Sequence, residues 1–203
     1  MTTSDFEGFI LAGGASSRMG TDKAHLRLGG QSFVEKINGE LSTFTQRVSV
    51  VSSKPDACAW GLPVVMDAHR GVGALGGLHA ALAHAAAPWS VVVSCDLPFV
   101  TTDLFRHLAS CVGEAFDAVA PLQEDGRVQP LCAIYRTREC RREVEKLLQE
   151  DELRPRELLA RVRTRFVNFD ELSSLDGAEN FFLNINTPEE YERARITTTV
   201  LKT

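Results

Sequence analysis

The chain has 203 residues, 44% of them hydrophobic and 24% charged, which suits one globular domain and leaves little room for a second. A core of this size needs neither disulfides nor a structural metal. The formal charge of −5, from 22 Lys and Arg against 27 Asp and Glu, gives no broad basic surface for nucleic acid or an acidic membrane, so any bound anion must be held locally.

The 5 cysteines (Cys58, Cys95, Cys111, Cys132 and Cys140) are odd in number and form no C-x-x-C pair. That pattern fits reduced thiols in a cytoplasmic compartment better than a disulfide framework or a zinc site. No H-E-x-x-H is present, and His79 and His84 are not spaced as metal ligands. The amino terminus carries Asp5 and Glu7 rather than a basic start, and no run of about 18 uncharged apolar residues occurs. A soluble, untargeted protein is expected.

In chain order, short apolar runs bounded by Gly, Pro, Ser and Asp predict strands at Phe9–Ala12, Val48–Val51, Val64–Met66, Val91–Val93, Ala118–Ala120, Leu131–Tyr135, Val162–Val167 and Phe181–Ile185. Between the early ones lie helical spacings: Phe33, Ile37, Leu41 and Phe44, then Leu78, Ala81, Leu82 and Ala85, then Leu104, Leu108 and Cys111. Alternation of this kind predicts a Rossmann-like α/β fold, a mostly parallel sheet with helices on both faces. Val91-Val92-Val93, with no polar alternation, suits a central strand buried on both sides. Ser32 with Glu35, and Thr187 with Pro188 and Glu190, are helix-start capping boxes. The second half is less regular, with a strand-like stretch over Val128–Tyr135, a charged helix over Thr137–Glu150 and an Arg-rich segment from Arg154 to Arg165. Acidic residues interspersed among those arginines predict a solvated face rather than a phosphate cradle.

The most informative segment is Leu11-Ala12-Gly13-Gly14-Ala15-Ser16-Ser17-Arg18-Met19-Gly20-Thr21-Asp22-Lys23. It follows the first strand at the sheet edge where open α/β folds bind ligands. Its small residues let backbone N–H groups approach an anion, while Arg18 and Lys23 supply positive charge suited to a polyphosphate. The pattern is not a Walker loop, and an ordinary Gly-rich turn is the alternative. Asp96 ends the buried Val91 run, placed either to hold a magnesium ion or to shape the Asp-Leu-Pro turn. Asp67 stands similarly after Val64–Met66, with a solvated turn residue as its alternative. Gly71-Val72-Gly73-Ala74-Leu75-Gly76 matches G-x-G-x-x-G, but four residues separate Met66 from Gly71, so a dinucleotide fingerprint fails on context. A close-packed helix entry is expected instead. Asn184 and Asn186 alternate on one side of an extended segment, suited either to hydrogen-bonding a polar heterocycle or to forming a turn.

Leu11-Ala12-Gly13-Gly14 with Ser17-Arg18-Met19-Gly20 and Asp22-Lys23 resembles the signature of the molybdenum cofactor nucleotidyltransferases, most closely their guanylyltransferase branch. The likeness continues through Asp67, Gly73-Ala74-Leu75-Gly76-Gly77, Cys95-Asp96-Leu97-Pro98-Phe99 and Asn184-Ile185-Asn186-Thr187-Pro188-Glu189-Glu190. It implies transfer of GMP from GTP to molybdenum-carrying molybdopterin, with release of pyrophosphate. Arg18, Lys23 and Asp96 would be catalytic, with Asp96 holding Mg2+. Leu11, Ala12, Gly13, Gly14, Lys23, Ser53, Asp67 and Asp96 would bind the nucleotide, and Gln129, Asn184 and Asn186 the acceptor. The nucleotide part would cover residues 1–121 and an acceptor-binding elaboration residues 122–203 of one domain. Proteins of cofactor biosynthesis or molybdoenzyme maturation are implied partners.

Two departures stand out: Gln129 takes a place where the family often has a basic residue or histidine, and Ser52-Ser53 takes one where it commonly has asparagine. Relatives that use CTP tend to have alanine where Gly14 stands, which favours guanine. The rivals are the same chemistry with CTP or a sugar phosphate, and a pterin carrier without transferase activity.

Overall fold

The computed structural model describes residues 2–13, 26–53, 60–67, 69 and 71–200, the last four through their backbone. Strand β1 (Phe6–Leu11) is followed by a two-stranded hairpin, β2 (Arg27–Leu28) and β3 (Gln31–Ser32), and by helix α1 (Phe33–Phe44). Next come β4 (Val48–Ser52), β5 (Val64–Met66), α2 (Ala74–His84), β6 (Trp89–Ser94) and α3 (Thr102–Ser110). The second half comprises β7 (Ala118–Pro121), β8 (Cys132–Arg136), α4 (Thr137–Gln149), α5 (Pro155–Arg161), β9 (Thr164–Val167), α6 (Phe169–Leu172) and α7 (Pro188–Val200).

Seven strands form one sheet in the order β5-β4-β1-β6-β8-β7-β9. All neighbouring pairs are parallel except those of β8, which runs antiparallel to both β6 and β7. The mostly parallel sheet predicted from the alternating pattern is therefore present, with one reversed strand in it. Strand order reverses at β1: the chain leaves it for β4 and β5 on one side, then crosses to β6 on the other. A crevice opens at the carboxyl ends of strands at such a switch point.

Period-two alternation divides β1 between two cores. Phe6 and Ile10 pack with α1 and α3 on one face, while Phe9 and Leu11 pack with α2, α4 and α5 on the other. Burial of both faces explains why the central strands read as unbroken apolar runs. A smaller third cluster lies apart from these, built from Leu28, Phe33, Ile185 and Ala194.

Both capping boxes are formed. Ser32 Oγ accepts from Glu35 N–H at 3.2 Å while the Ser32 N–H donates to Glu35 Oε2 at 2.6 Å. At α7, Thr187 Oγ1 accepts from Glu190 N–H at 3.2 Å and the Thr187 N–H donates to Glu190 Oε2 at 2.9 Å. The arginines of the Arg-rich segment are matched by acids, with Arg154 on Glu152, Arg161 on Glu150, Arg163 on Asp117 and Arg165 on Glu171.

Three expectations need correction. First, β1 begins at Phe6 rather than Phe9, because buried Glu7 is satisfied in place by the N–H groups of Ala86 (2.9 Å) and Ala87 (3.4 Å). Second, Val128–Tyr135 is not continuous strand: Val128 makes an isolated bridge to Leu122, Pro130 has no N–H for a ladder, and β8 starts at Cys132. Third, Phe181–Ile185 is not a strand. Phe181 enters the α1/α3 core, Ile185 enters the third cluster and Leu183 is 37% exposed, so no ladder holds them. Their backbone is tied instead by a turn bond, Leu183 N–H to Asn180 O at 3.0 Å, and by a long-range bond, Ile185 N–H to Asp96 O at 3.1 Å.

Candidate active site

A cavity of about 670 Å³ opens at the carboxyl ends of β1, β4, β5 and β6, within the size range of small-molecule sites. Backbone bonds beyond the strand ends fix its walls. Ala12 N–H donates to Val51 O (2.9 Å), Asp67 N–H to Ser52 O (3.3 Å), Cys95 N–H to Leu11 O (3.0 Å) and Ser94 N–H to Leu131 O (2.8 Å). Each loop that leaves this edge thus starts from a held position.

Asp96 lies in this cavity, and its Oδ1 is buried with no hydrogen-bond partner among the described residues. The turn following β6 is closed by backbone, Leu97 N–H to Ser94 O at 3.2 Å. Leaving a buried carboxylate oxygen unsatisfied costs stability, so a polar or cationic ligand is the natural partner for it. Asp67 differs: its Oδ1 accepts from His69 N–H at 2.9 Å, a local turn bond, while its side chain also faces the cavity.

The G-x-G-x-x-G stretch becomes the entry to α2. Gly73 is its N-cap, with φ +65° and ψ −146° in a region closed to most side chains, and Gly73 and Ala74 border the cavity. The first-turn N–H groups of α2 therefore open towards the ligand space, with the positive end of the helix dipole. Gly76 shows why the entry is tight. A Cβ there would sit 2.6 Å from Val72 Cγ2 and 3.1 Å from both Asp67 Oδ1 and His69 O.

His69 lines the cavity and meets His79 of α2 edge to face, ring centroids 4.7 Å apart. His79 Nε2 lies 3.7 Å from Glu145 Oε1 on α4. Burial holds the His79 ring below its ordinary pKa, neighbouring His69 adds to that, and Glu145 opposes it.

Of the residues singled out from sequence, Leu11, Gly13, Ser53, Asp67 and Asp96 come together on this cavity. Ala12 is buried beside them in the α1/α3 core. Gly14, Arg18 and Lys23 lie outside the described residues. Gln129, Asn184 and Asn186 are not among the described lining residues. Gln129 is buried, its N–H bonded to Pro121 O at 3.0 Å. Asn184 Nδ2 reaches its neighbour Phe182 O at 3.5 Å, and the Asn186 N–H donates to Glu190 Oε2 at 2.6 Å. Sequence reasoning missed Ser94, Leu131 and His69. Ser94 had a signal, two residues before Asp96 at the end of a buried run. His69 had none, because its placement depends on packing against the ring of His79, ten positions on.

A family model described as the MobA-like NTP transferase domain matches residues 8–165 of the chain. The chain belongs to this family. It is a nucleotidyltransferase. Its relatives include the probable molybdenum cofactor guanylyltransferase of Pelotomaculum thermopropionicum, 34% identical over 190 residues that cover 93% of this chain and 91% of that protein. A second, from Carboxydothermus hydrogenoformans and also named a probable molybdenum cofactor guanylyltransferase, is 34% identical over 184 residues, covering 91% and 92%. Among solved structures, the molybdopterin-guanine dinucleotide biosynthesis protein A of Archaeoglobus fulgidus superposes with a TM-score of 0.81 at 26% identity, covering 96% of this chain and 99% of that one. The 2-C-methyl-D-erythritol 4-phosphate cytidylyltransferase of Thermus thermophilus shares the fold, with a TM-score of 0.71 at 18% identity over 95% and 98% of the two chains.

Proposed function

We propose that this member of the MobA-like family transfers GMP from GTP to molybdopterin carrying molybdenum, forming molybdopterin guanine dinucleotide and releasing pyrophosphate. The observation that carries the reading is the buried Asp96 Oδ1 in the switch-point cavity, without a partner among the described residues, in a chain whose relatives are named for this reaction. An oxygen of the acceptor's terminal phosphate attacks the α-phosphorus of GTP, a new P–O bond forms, and the bond to the β-phosphate oxygen breaks with its electron pair leaving on pyrophosphate. The attacking phosphate is already ionised near neutral pH, so no side chain need remove a proton. The protein contributes placement and charge neutralisation.

The residues present fit a magnesium ion. Mg2+ prefers oxygen donors and binds through one or two carboxylates completed by water and substrate phosphates, and Asp96 Oδ1, without a partner among the described residues, is a donor of that kind. When bound, the ion would neutralise charge on the phosphates. The N–H groups at the start of α2 would hold phosphate oxygens, and Arg18 and Lys23 would add positive charge from the glycine-rich segment.

The test is nucleotide discrimination by thermal shift together with pyrophosphate release. Mg–GTP at about 100 times its dissociation constant should stabilise the protein by about 2.7 kcal/mol, and more than Mg–CTP at the same concentration. An equal or larger shift with CTP overturns the guanine assignment. GTP binding without magnesium-dependent pyrophosphate release in the presence of the acceptor overturns the transferase reading in favour of a carrier.

A further inference from the structure

Residues 184–194 are not among the described lining residues of the cavity, yet they are bonded to Asp96 and to Arg27, just beyond the glycine-rich segment. The Ile185 N–H donates to the backbone oxygen of Asp96 at 3.1 Å, and the Ile185 side chain is fully buried. Tyr191, on α7, donates its hydroxyl hydrogen to Arg27 O at 2.8 Å and packs its ring on Phe33, centroids 6.3 Å apart. Leu26, the first described residue after the glycine-rich segment, packs against the third apolar cluster, and so does Phe99, three residues beyond Asp96. Leu26 O also accepts from Phe33 N–H at 3.0 Å. One small core, separate from the two that cover the sheet, thus grips both the exit of the glycine-rich segment and the turn that carries Asp96.

Resting on the nucleotidyl-transfer reading above, we propose that residues 184–194 form a strap in which Ile185 and Tyr191 are positioning residues, Ile185 setting Asp96 and Tyr191 setting the exit of the glycine-rich segment. Neither residue touches the reacting atoms. Their effect is geometric: a close-packed cluster transmits displacement rather than absorbing it, and a carboxylate moved by a fraction of an ångström loses its hold on a small cation. The strap also accounts for the position of Asn184 and Asn186. They flank the residue that supports Asp96, so their placement follows from holding the turn as well as from any contact with the acceptor.

The experiment measures GTP affinity by calorimetry with magnesium and with EDTA, alongside melting of each variant. Ile185→Pro removes the N–H that supports Asp96, and Ile185→Val keeps it. The expected result is that magnesium enhances GTP affinity in the wild type and in Ile185→Val, and that Ile185→Pro loses about tenfold of that enhancement while its affinity in EDTA stays unchanged. Tyr191→Phe, which loses only the hydroxyl bond to Arg27, should weaken GTP binding in EDTA about threefold to tenfold at nearly unchanged melting temperature. Cooperatively melting Ile185→Pro and Tyr191→Phe proteins that bind GTP like the wild type under both conditions would overturn the strap. If Ile185→Pro does not melt cooperatively, amide exchange at Ile185 in the wild type decides. Saturating Mg–GTP should slow it about tenfold, and an unchanged rate overturns the proposal. A wild type that binds no GTP under either condition overturns the functional reading itself, a different result from indifferent variants of a GTP-binding protein.

Discussion

Two aspartates, one just before β7 and one just after β6, handle charge in opposite ways. Before β7, Asp117 receives two hydrogen bonds from the Arg163 guanidinium, each at 2.8 Å, and Arg136 stands 3.7 Å away with its guanidinium 4.8 Å above the Trp89 ring. The Arg163 hydrogen bond holds the Asp117 carboxyl below its ordinary pKa. After β6, Asp96 Oδ1 is buried without a partner among the described residues. The same residue type is spent on stability before β7 and left without a described partner after β6.

The sharpest way to break that contrast is to neutralise each aspartate. Asp96→Asn should lower pyrophosphate release by about 100-fold or more, with melting temperature unchanged or slightly raised, because the amide keeps the shape and removes an unsatisfied buried charge. A variant that stays active but melts early would make Asp96 a turn residue. Asp117→Ala should do the reverse, costing about 2–3 kcal/mol of stability through the lost charged hydrogen bonds while turnover per folded molecule holds. Denaturant unfolding and initial rates on the same preparation check both.

Gly76→Ala tests the packing at the cavity side of α2. Its methyl group must displace Val72, Asp67 or the backbone at His69, so about 1–2 kcal/mol of stability and part of the GTP affinity should be lost together. Calorimetry against GTP shows whether the loop moves with the helix. The smallest effect concerns His79. The native ring is held below its ordinary value of 6.5, so as pH falls through that range the unfolded chain takes up the proton first and stability declines. The loss from this group should be about 1 kcal/mol or less between pH 7.5 and 5.5, and His79→Gln should reduce it, as unfolding at the two pH values would show.

The sequence made some of this legible for definite reasons. Val91–Val93 could be read as a central strand because a strand covered on both faces leaves no polar alternation, and Asp96 followed from where that strand ended. Both capping boxes were readable because the capping partners lie only three positions apart. What escaped depends on distant partners. The direction of β8 was hidden because apolar period is the same forwards and backwards. Glu7 looked like a strand boundary because the N–H groups that satisfy it arrive from Ala86 and Ala87. Phe181–Ile185 looked like a strand because apolar residues bound for different clusters resemble a run when written in one line.

The reversal of β8 also bears on how the walls of the cavity are built. Since β7 ends and β8 begins at the cavity edge, residues 122–131 connect them there without a crossover helix, and Leu131 already reaches the cavity wall. Strands β1, β4 and β6 are joined through α1 and α2, whose buried faces fix the length of chain between them. Residues 122–131 are held by the Leu122–Val128 bridge and by Gln129 N–H to Pro121 O, whereas β1 is held between two cores. The two walls of the cavity are therefore built differently, one by a turn between antiparallel neighbours and the other by strands joined through helices.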